Sequence, residues 1–336
     1  MNRQILYFTE PYQVEVRSEP LPGLGHNQLL VETQYSAISA GSEMLLYQGL
    51  MPDDIALDET IDSLQGAITY PISYGYACVG KVIDVGSEVD KLWINRQIFA
   101  FYPHASHFAV DESAVIPIPD GVTAEDAVFL PNMETAVSFV MDSRPVIGEE
   151  VAVFGQGVVG LLTTALLAQL PLERLITIDA FPLRREQSIS YGAHASFDPI
   201  DPTTLLYMRQ NLVDLSFELS GNPEALNMAI ETTGFDGRIL IGSWYGQKPV
   251  SLNLGGKFHR NHLKLISSQV SHLQARWRGR WSKQRRLFTA WRMLEKIRPH
   301  DLITHRLPLS QAAEAYQLLA QNPRAAMQVV FTYEGN

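Results

Sequence analysis

Three glycines in the stretch VAVFGQGVVG, Gly155, Gly157 and Gly160, follow an apolar run and open a second, helical one. The spacing is G-x-G-x-x-G. Each glycine meets a separate physical demand, namely a tight turn at Gly155, a bare backbone at Gly157 for a pyrophosphate to approach, and close strand-helix packing at Gly160. Val158 and Val159 then fall in the first helical turn, where backbone N–H groups point at an anion. The next strand, LITID, ends in Asp179, nineteen residues past Gly160. A carboxylate there accepts from ribose hydroxyls and repels a 2'-phosphate, so it favours NAD over NADP. Arg184 and Arg185 keep NADP open, and Asp179 as a cap for the helix PLRREQ is the bland alternative. Two later turns, ELSGNPEA at Gly221 and LIGSWYG at Gly242, repeat the position at a strand's carboxyl end. They are candidates to seat the rest of the cofactor, or ordinary turns.

A second group of polar residues lies far from these glycines. SAISAGSEMLLYQG, Ser36 to Gly49, carries a serine-rich turn with a lone carboxylate, Glu43, into an apolar run. Ser42 reads as a substrate contact or as the N-cap of EMLLYQ. His104, in FYPHASHF, is by residue type the neutral-pH proton exchanger. His104 with His107, and His259 with His262, are the remaining pairs with metal-ligand character. From Arg276 to Arg286 basic residues alternate with Trp277 and Trp281; the segment reads as a site for acidic groups or as a solvated helix face.

The elements that must position these residues follow two grammars. From Gln28 to Pro119 short β-rich pieces (QLLVETQYSAIS, ACVGKVIDVG, RQIFAFYPHASHFAV) alternate with Gly, Pro and Asp turns, as in a barrel or sandwich. After Gly148 strands alternate with helical windows: VAVF, LITID, VDLSFEL, RILIG and LKLISSQV are strands, which predicts a parallel sheet covered on both faces. The tail closes with LITHRLPLSQAAEAYQLL and a strand, MQVVFTY. This predicts a discontinuous domain, residues 1–144 plus 273–336, around an inserted α/β domain of residues 145–272.

Bulk composition sets limits on partners. The 336 residues are 46% hydrophobic and 18% charged, with a formal net charge of -10. That charge disfavours a nucleic-acid partner, whose phosphates are bound by Lys and Arg. A small-molecule substrate fits better. The N-terminus lacks the apolar core of a signal peptide, and the longest apolar segment, 157–170, is shorter than the roughly 20 residues that cross a bilayer. A cytoplasmic protein without membrane contact is expected. Cys78 is the only cysteine, which leaves no disulfide and no multi-thiolate zinc site.

With a β-rich front, an inserted nucleotide domain and a returning tail, the chain resembles the medium-chain dehydrogenase/reductase superfamily, the zinc alcohol dehydrogenase-like proteins. The motifs that carry the resemblance are ISAGSEMLLYQG, YGYACVGKVIDVGSEV, VFGQGVVG with Asp179, and LITHRLPLSQAAEAY. The implied fold is a Rossmann domain within a GroES-like catalytic domain. Zinc-using members read Cys-Gly-Thr/Ser-Asp where this chain has Ala40-Gly41-Ser42-Glu43, and Gly-His-Glu where it has Gly75-Tyr76-Ala77. Their third ligand falls near Pro131. Neither alanine nor proline can supply a zinc ligand, so no zinc is expected. The wording ISAGSE with LYQGLMP, LITHR and AAEAY looks most like a zinc-free branch that includes the bacteriochlorophyllide dehydrogenases.

The resemblance assigns roles to residues. Ser42 stands where the family keeps a relay hydroxyl, Tyr76 replaces the ligand histidine, and Glu43 matches an aspartate that supports the site. Thr135, in METAVSF, matches a position beside the nicotinamide, with helix packing as its alternative. A phenol of ordinary pKa near 10 suits Tyr76 as a donor, although a half-buried strand also takes tyrosine as packing. The expected activity is zinc-independent hydride transfer between NAD(P) and a secondary alcohol or ketone. An NADPH-dependent enone or quinone reductase and a non-catalytic nucleotide sensor are the alternatives. The edge strand LKLISSQV corresponds to one through which family members pair, which implies a homodimer.

Overall fold

The computed structural model describes residues 2–52, 64 and 68–333. It divides into two compact units, residues 1–131 with 294–336, and residues 132–293. The first unit begins with an antiparallel hairpin, β1 (Asn2–Glu10) and β2 (Gln13–Pro20). Its main sheet has seven strands: β3 (Gln28–Ala37), β4 (Cys78–Val85), β5 (Gln97–Ala100), β6 (His107–Asp111), β7 (Val115–Pro117), β14 (Ile303–Pro308) and β15 (Gln328–Thr332). They run in the order β14-β15-β3-β4-β5-β7, with β6 also on β3. The tail strand β15 pairs antiparallel with β3, matching Val330 to Ala37. Two helices of this unit, α1 (Glu43–Tyr47) and α9 (Ala312–Gln321), share a core with β1 through Phe8, Leu46, Tyr316 and Phe331. A third, α2 (Ala124–Ala127), takes its cap from Thr123 Oγ1, which accepts from Asp126 N.

The second unit is a six-stranded sheet of β8 (Glu150–Phe154), β9 (Arg174–Ile178), β10 (Ala195–Phe197), β11 (Val213–Glu218), β12 (Thr233–Ile241) and β13 (Lys264–Ser267). All neighbours are parallel in the order β10-β9-β8-β11-β12-β13. In chain order this is 3-2-1-4-5-6, the doubly wound Rossmann arrangement, whose switch point lies between β8 and β11. The central strands β8 (EVAVF) and β9 (RLITI) are mostly apolar, as strands covered on both faces are. One face packs Phe154, Ile176, Leu226 and Ile230, and the other Phe139, Val153, Leu167 and Phe217. The helices are α3 (Leu130–Ser143), α4 (Val158–Leu167), α5 (Pro182–Ser190), α6 (Pro202–Gln210), α7 (Pro223–Thr232) and α8 (Lys283–Ile297).

The fold therefore is a Rossmann sheet joined to a separate, mainly antiparallel β domain. Several elements differ in detail from their sequence reading. RQIFAFYPHASHFAV is two strands, because the segment turns through Tyr102–Ser106, where Pro103 has no N–H for a ladder. Only KLIS of LKLISSQV is strand. The hairpin β1–β2, strand β10 and helix α6 carry no clear turn-strand or helix period, and the sequence reading does not contain them.

Candidate functional site

At the end of β8 the chain enters its glycine turn with Gly155 at φ +91°, a left-handed conformation that side chains rarely adopt. A Cβ on Gly155 would lie 2.6 Å from the Ser220 backbone nitrogen, so only glycine lets this turn pass the turn after β11. A Cβ on Gly160 would lie 2.0 Å from the Gly155 carbonyl oxygen. Around Gly157, by contrast, a Cβ would meet nothing within 4 Å. Gly157 is the N-cap of α4 and brings no side-chain cap, so the first N–H groups of the helix, at Val158, Val159 and Gly160, have no intrahelical partner. This is the chemistry of an anion seat at a helix N-terminus, and these residues fit a dinucleotide pyrophosphate.

Asp179 follows β9 and is 8% exposed. Its Oδ2 accepts from Gln156 N at 2.7 Å, and its Oδ1 from Phe181 N at 2.8 Å. The carboxylate thus braces the glycine turn from behind. The N-cap of α5 is Phe181, with no side-chain cap, so Asp179 is not the cap residue. Arg185 donates to the Asp179 carbonyl at 2.8 Å and pairs with Asp198 at 3.1 Å. Arg184 lies 4.8 Å from the centre of the Phe181 ring, and burial lowers its pKa against the opposing pull of Asp179.

The turn after β11 has an organiser that the sequence reading does not single out. Glu218, fully buried, accepts through Oε1 from Ser220 N (2.8 Å), Ser220 Oγ (2.6 Å) and Gly221 N (3.1 Å), and through Oε2 from the Tyr245 hydroxyl (2.7 Å). Burial, then the Glu218 charge, drives the Tyr245 pKa far up, so the phenol stays a neutral donor. Gly221 sits at φ +64° with open space where a Cβ would be, and its N–H is shared with Ser243 Oγ at 2.8 Å. Gly242 instead is packed: a Cβ would meet the Phe139 ring at 2.4 Å. The two glycines thus differ, with Gly221 open and Gly242 a packing glycine. The signal for Glu218 is an acid at the buried end of the strand VDLSFE, where a carboxylate demands a partner.

In the other unit, Ser42, Glu43, Tyr76 and His104 are brought together at the end of β3. Ser42 is the N-cap of α1 by position, yet its side chain makes no cap hydrogen bond. The Tyr76 hydroxyl is instead 3.3 Å from Ser42 Oγ and bonded to Ser39 Oγ. A phenol has one proton, so it donates to one serine and offers a lone pair to the other. The loop carrying Tyr76 is held against β3 by Ala37 N donating to the Ala77 carbonyl at 2.9 Å.

Glu43 and His104 lie behind these hydroxyls, both fully buried. Glu43 Oε1 accepts from Ser39 N at 2.8 Å, folding the carboxylate back over the turn. Its Oε2 is 3.0 Å from His104 Nε2 and also takes the Tyr316 hydroxyl. Burial, then the Glu43 charge, raises the Tyr316 pKa well above its ordinary value, so Tyr316 remains a donor. His104 Nδ1 is 2.6 Å from Ser36 Oγ, which is 2.6 Å from the Tyr333 hydroxyl. The ring fits because Gly75, at φ +127°, has no Cβ; one would lie 2.8 Å from His104 Nε2. Ser36, Ser39, Tyr316 and Tyr333 escape a sequence reading, because the tyrosines reach Glu43 and Ser36 from the far end of the chain.

Thr135 is half-buried on α3 in the unit of the glycine turn. His107 does not join the Glu43 cluster: its Nδ1 is 3.1 Å from Ser106 Oγ and its Nε2 3.9 Å from Glu32. His262 faces Phe235, ring centres 5.3 Å apart. Among the described residues no group of three or more His, Cys, Asp and Glu is placed to hold a metal ion. Ala40 follows Ser39 in the chain, and Tyr76 meets the hydroxyls of Ser39 and Ser42. None of the described helices is long and apolar enough to cross a membrane.

The fold and the glycine turn define the chain as a Rossmann-type protein with the two-domain plan of the alcohol dehydrogenase-like oxidoreductases. No protein-family model matches it. A D-guloside 3-dehydrogenase of Escherichia coli K12 is 23% identical over 330 residues, covering 91% of this chain and 93% of that protein. Among solved structures, 2R,3R-butanediol dehydrogenase of Bacillus subtilis superposes with a TM-score of 0.80 at 17% identity, covering 99% of this chain and 100% of that one. An alcohol dehydrogenase of Escherichia coli CFT073, solved with the cofactor NADH, has a TM-score of 0.79 at 16% identity, with 98% and 99% covered.

Proposed function

We propose that the protein is a zinc-independent, NAD-dependent oxidoreductase that interconverts a secondary alcohol and its ketone. The carrying observation is the hydroxyl corner: Tyr76 within 3.3 Å of Ser42 and bonded to Ser39, backed by the buried Glu43 and His104, where the resemblance locates a metal. Gly155, Gly157 and Gly160 with Asp179 bind the dinucleotide, in the part of the chain at 145–272, and residues 1–144 plus 273–336 bind the substrate. When bound there, a nicotinamide would supply hydride-accepting and hydride-donating chemistry for the alcohol and its ketone.

Tyr76 and Ser42 donate to the substrate oxygen, stabilising the negative charge that develops there. As the alcohol is oxidised its hydroxyl proton passes to this hydroxyl pair and on to solvent. Glu43 does not touch the substrate; it fixes the Ser39 N–H and orients His104, and so keeps the turn in place. The commitment of Arg185 to Asp198, and the bracing role of Asp179, support NAD over NADP.

Cofactor titration followed by a substrate panel tests this reading. Quenching of intrinsic fluorescence by NADH, weaker binding of NADPH, and absorbance change at the reduced nicotinamide band with secondary alcohols or ketones are the expected results. NADPH binding without NADH binding, together with turnover of enones alone, would mean a double-bond reductase. Cofactor binding with no hydride transfer to any of the three substrate classes would mean a sensor.

A further inference from the structure

Between Asp236 and Glu295 the chain contains no acid, while residues 237–294 carry 12 of its 26 Lys and Arg. The rest of the chain bears the other 14 cations against all 36 acids. The densest part of the basic tract runs from a short turn, Ala275–Trp277, into α8. Arg276, Arg278, Arg280, Lys283, Arg285 and Arg292 are exposed there. Arg286 is the exception: it turns inward to Glu134 Oε1 at 3.0 Å and to the Val270 carbonyl at 2.6 Å, anchoring the tract to its unit.

The aromatic rings set the chemistry of the surface. Trp277 is pinned by its Nε1 donating to Asp142 Oδ1 at 3.0 Å, and Arg280 lies 5.1 Å from its ring centre. Arg285 lies 4.3 Å from the centre of the Trp281 ring. Each indole, half-buried, therefore has one face occupied by a guanidinium. The apolar side of α8, with Ala290, Trp291 and Leu294, is buried in the protein, so the helix has no second apolar face for a bilayer. Among the exposed residues of α8, which also include Lys283, Gln284, Glu295 and Lys296, Arg285, Phe288 and Arg292 span two turns of one face, with Phe288 62% exposed between two cations. The Arg285 guanidinium spends one N–H on the Arg280 carbonyl at 2.5 Å, and its remaining N–H groups can meet a planar acceptor from the ring edge.

We infer that this tract is a docking surface for an acidic segment of a partner protein, one whose carboxylates flank an apolar side chain. The carboxylates pair with Arg285 and Arg292 and with the stacked Arg280, and the apolar side chain covers Phe288. An aromatic-and-arginine centre of this kind is the composition of interface hot spots. The inference stands apart from the proposed reaction, because none of these residues belongs to the glycine turn or the hydroxyl corner.

Fluorescence anisotropy with a short labelled peptide of glutamate punctuated by leucine tests it on the full chain. The peptide should bind, a lysine-for-glutamate peptide should not, and binding should vanish toward 1 M salt, where the Debye length is about 3 Å. The double variant R285E/R292E should weaken binding on the order of tenfold or more, and Phe288→Ser severalfold, each with unchanged circular dichroism and cofactor binding. Equal affinity for the variants and the native chain would overturn the assignment. So would variant-sensitive binding to phosphatidylglycerol vesicles or to a single-stranded oligonucleotide without peptide binding. Native self-association that the double variant abolishes, again without peptide binding, would identify a second copy as the occupant and equally overturn it.

Discussion

At the scale of the residue, the proposed chemistry turns on Tyr76. Its hydroxyl touches both Ser39 and Ser42, and it stands where the family resemblance implies a ligand histidine. Tyr76→Phe removes that donor while keeping the ring, which packs edge-on to Tyr74 with centres 6.0 Å apart. Removing one donor from a developing oxyanion costs about 10²–10³ in kcat. Steady-state kinetics with NAD and an alcohol should show that loss with KM for NAD unchanged; an unchanged kcat would reduce Tyr76 to packing. Ser42, Glu43, Tyr76 and His104 are visible in the sequence as separate residues, because each has a titratable or hydrogen-bonding type. Tyr316 is not, since its bond to Glu43 spans 273 positions and leaves no local pattern. Nor does the sequence show whether Ser42 caps α1, because an N-cap position and an N-cap hydrogen bond are distinct.

Elements set how firmly these residues are held. The turns after β8 and β11 are locked together, since Gly155 leaves no room for a Cβ against Ser220, and Glu218 holds the second turn with four hydrogen bonds. Glu218→Gln replaces an acceptor pair by one acceptor and one donor, so it loses part of the clamp. Affinity for NADH should drop about tenfold, as expected for about 1.4 kcal/mol of lost hydrogen bonding, with the melting transition still cooperative. Unaltered NADH affinity in the folded variant would show that the clamp does not act on the cofactor turn.

The sheet of the other unit makes a pH prediction. His107 on β6 is 7% exposed, and burial lowers its pKa below 6.5, against a smaller upward pull from Glu32. A depressed histidine is neutral when folded, so its stabilisation is present above the unfolded pKa of 6.5 and is lost as pH falls through that value. Urea unfolding should show the native chain losing stability relative to His107→Asn between about pH 7.5 and about pH 5.5. A pH-independent difference would contradict the assignment. The strand and helix grammar is legible wherever an apolar run meets a turn residue. It fails at α6 and β10, where PTTLLYMRQ and ASF offer neither a clear period nor a long apolar run.

For the molecule as a whole, the parallel sheet and the return of β15 to β3 are legible in outline: alternating strands and helices imply a parallel sheet, and a closing strand implies a returning tail. The strand order 3-2-1-4-5-6 is not, because pairing is decided by crossover packing rather than by local sequence. Charge separation is readable in the chain only at this scale, since it spans residues 237–294 and a short window shows just a local basic run. The central claim is that hydroxyl groups rather than a metal handle the substrate oxygen. It is tested most directly by following NADH formation from a secondary alcohol with protein dialysed against a chelator and assayed for metal. The predicted result is turnover equal to that of untreated protein, at metal contents far below one per chain and without stimulation by added zinc. Activity that disappears on chelation and returns in proportion to bound zinc would contradict it.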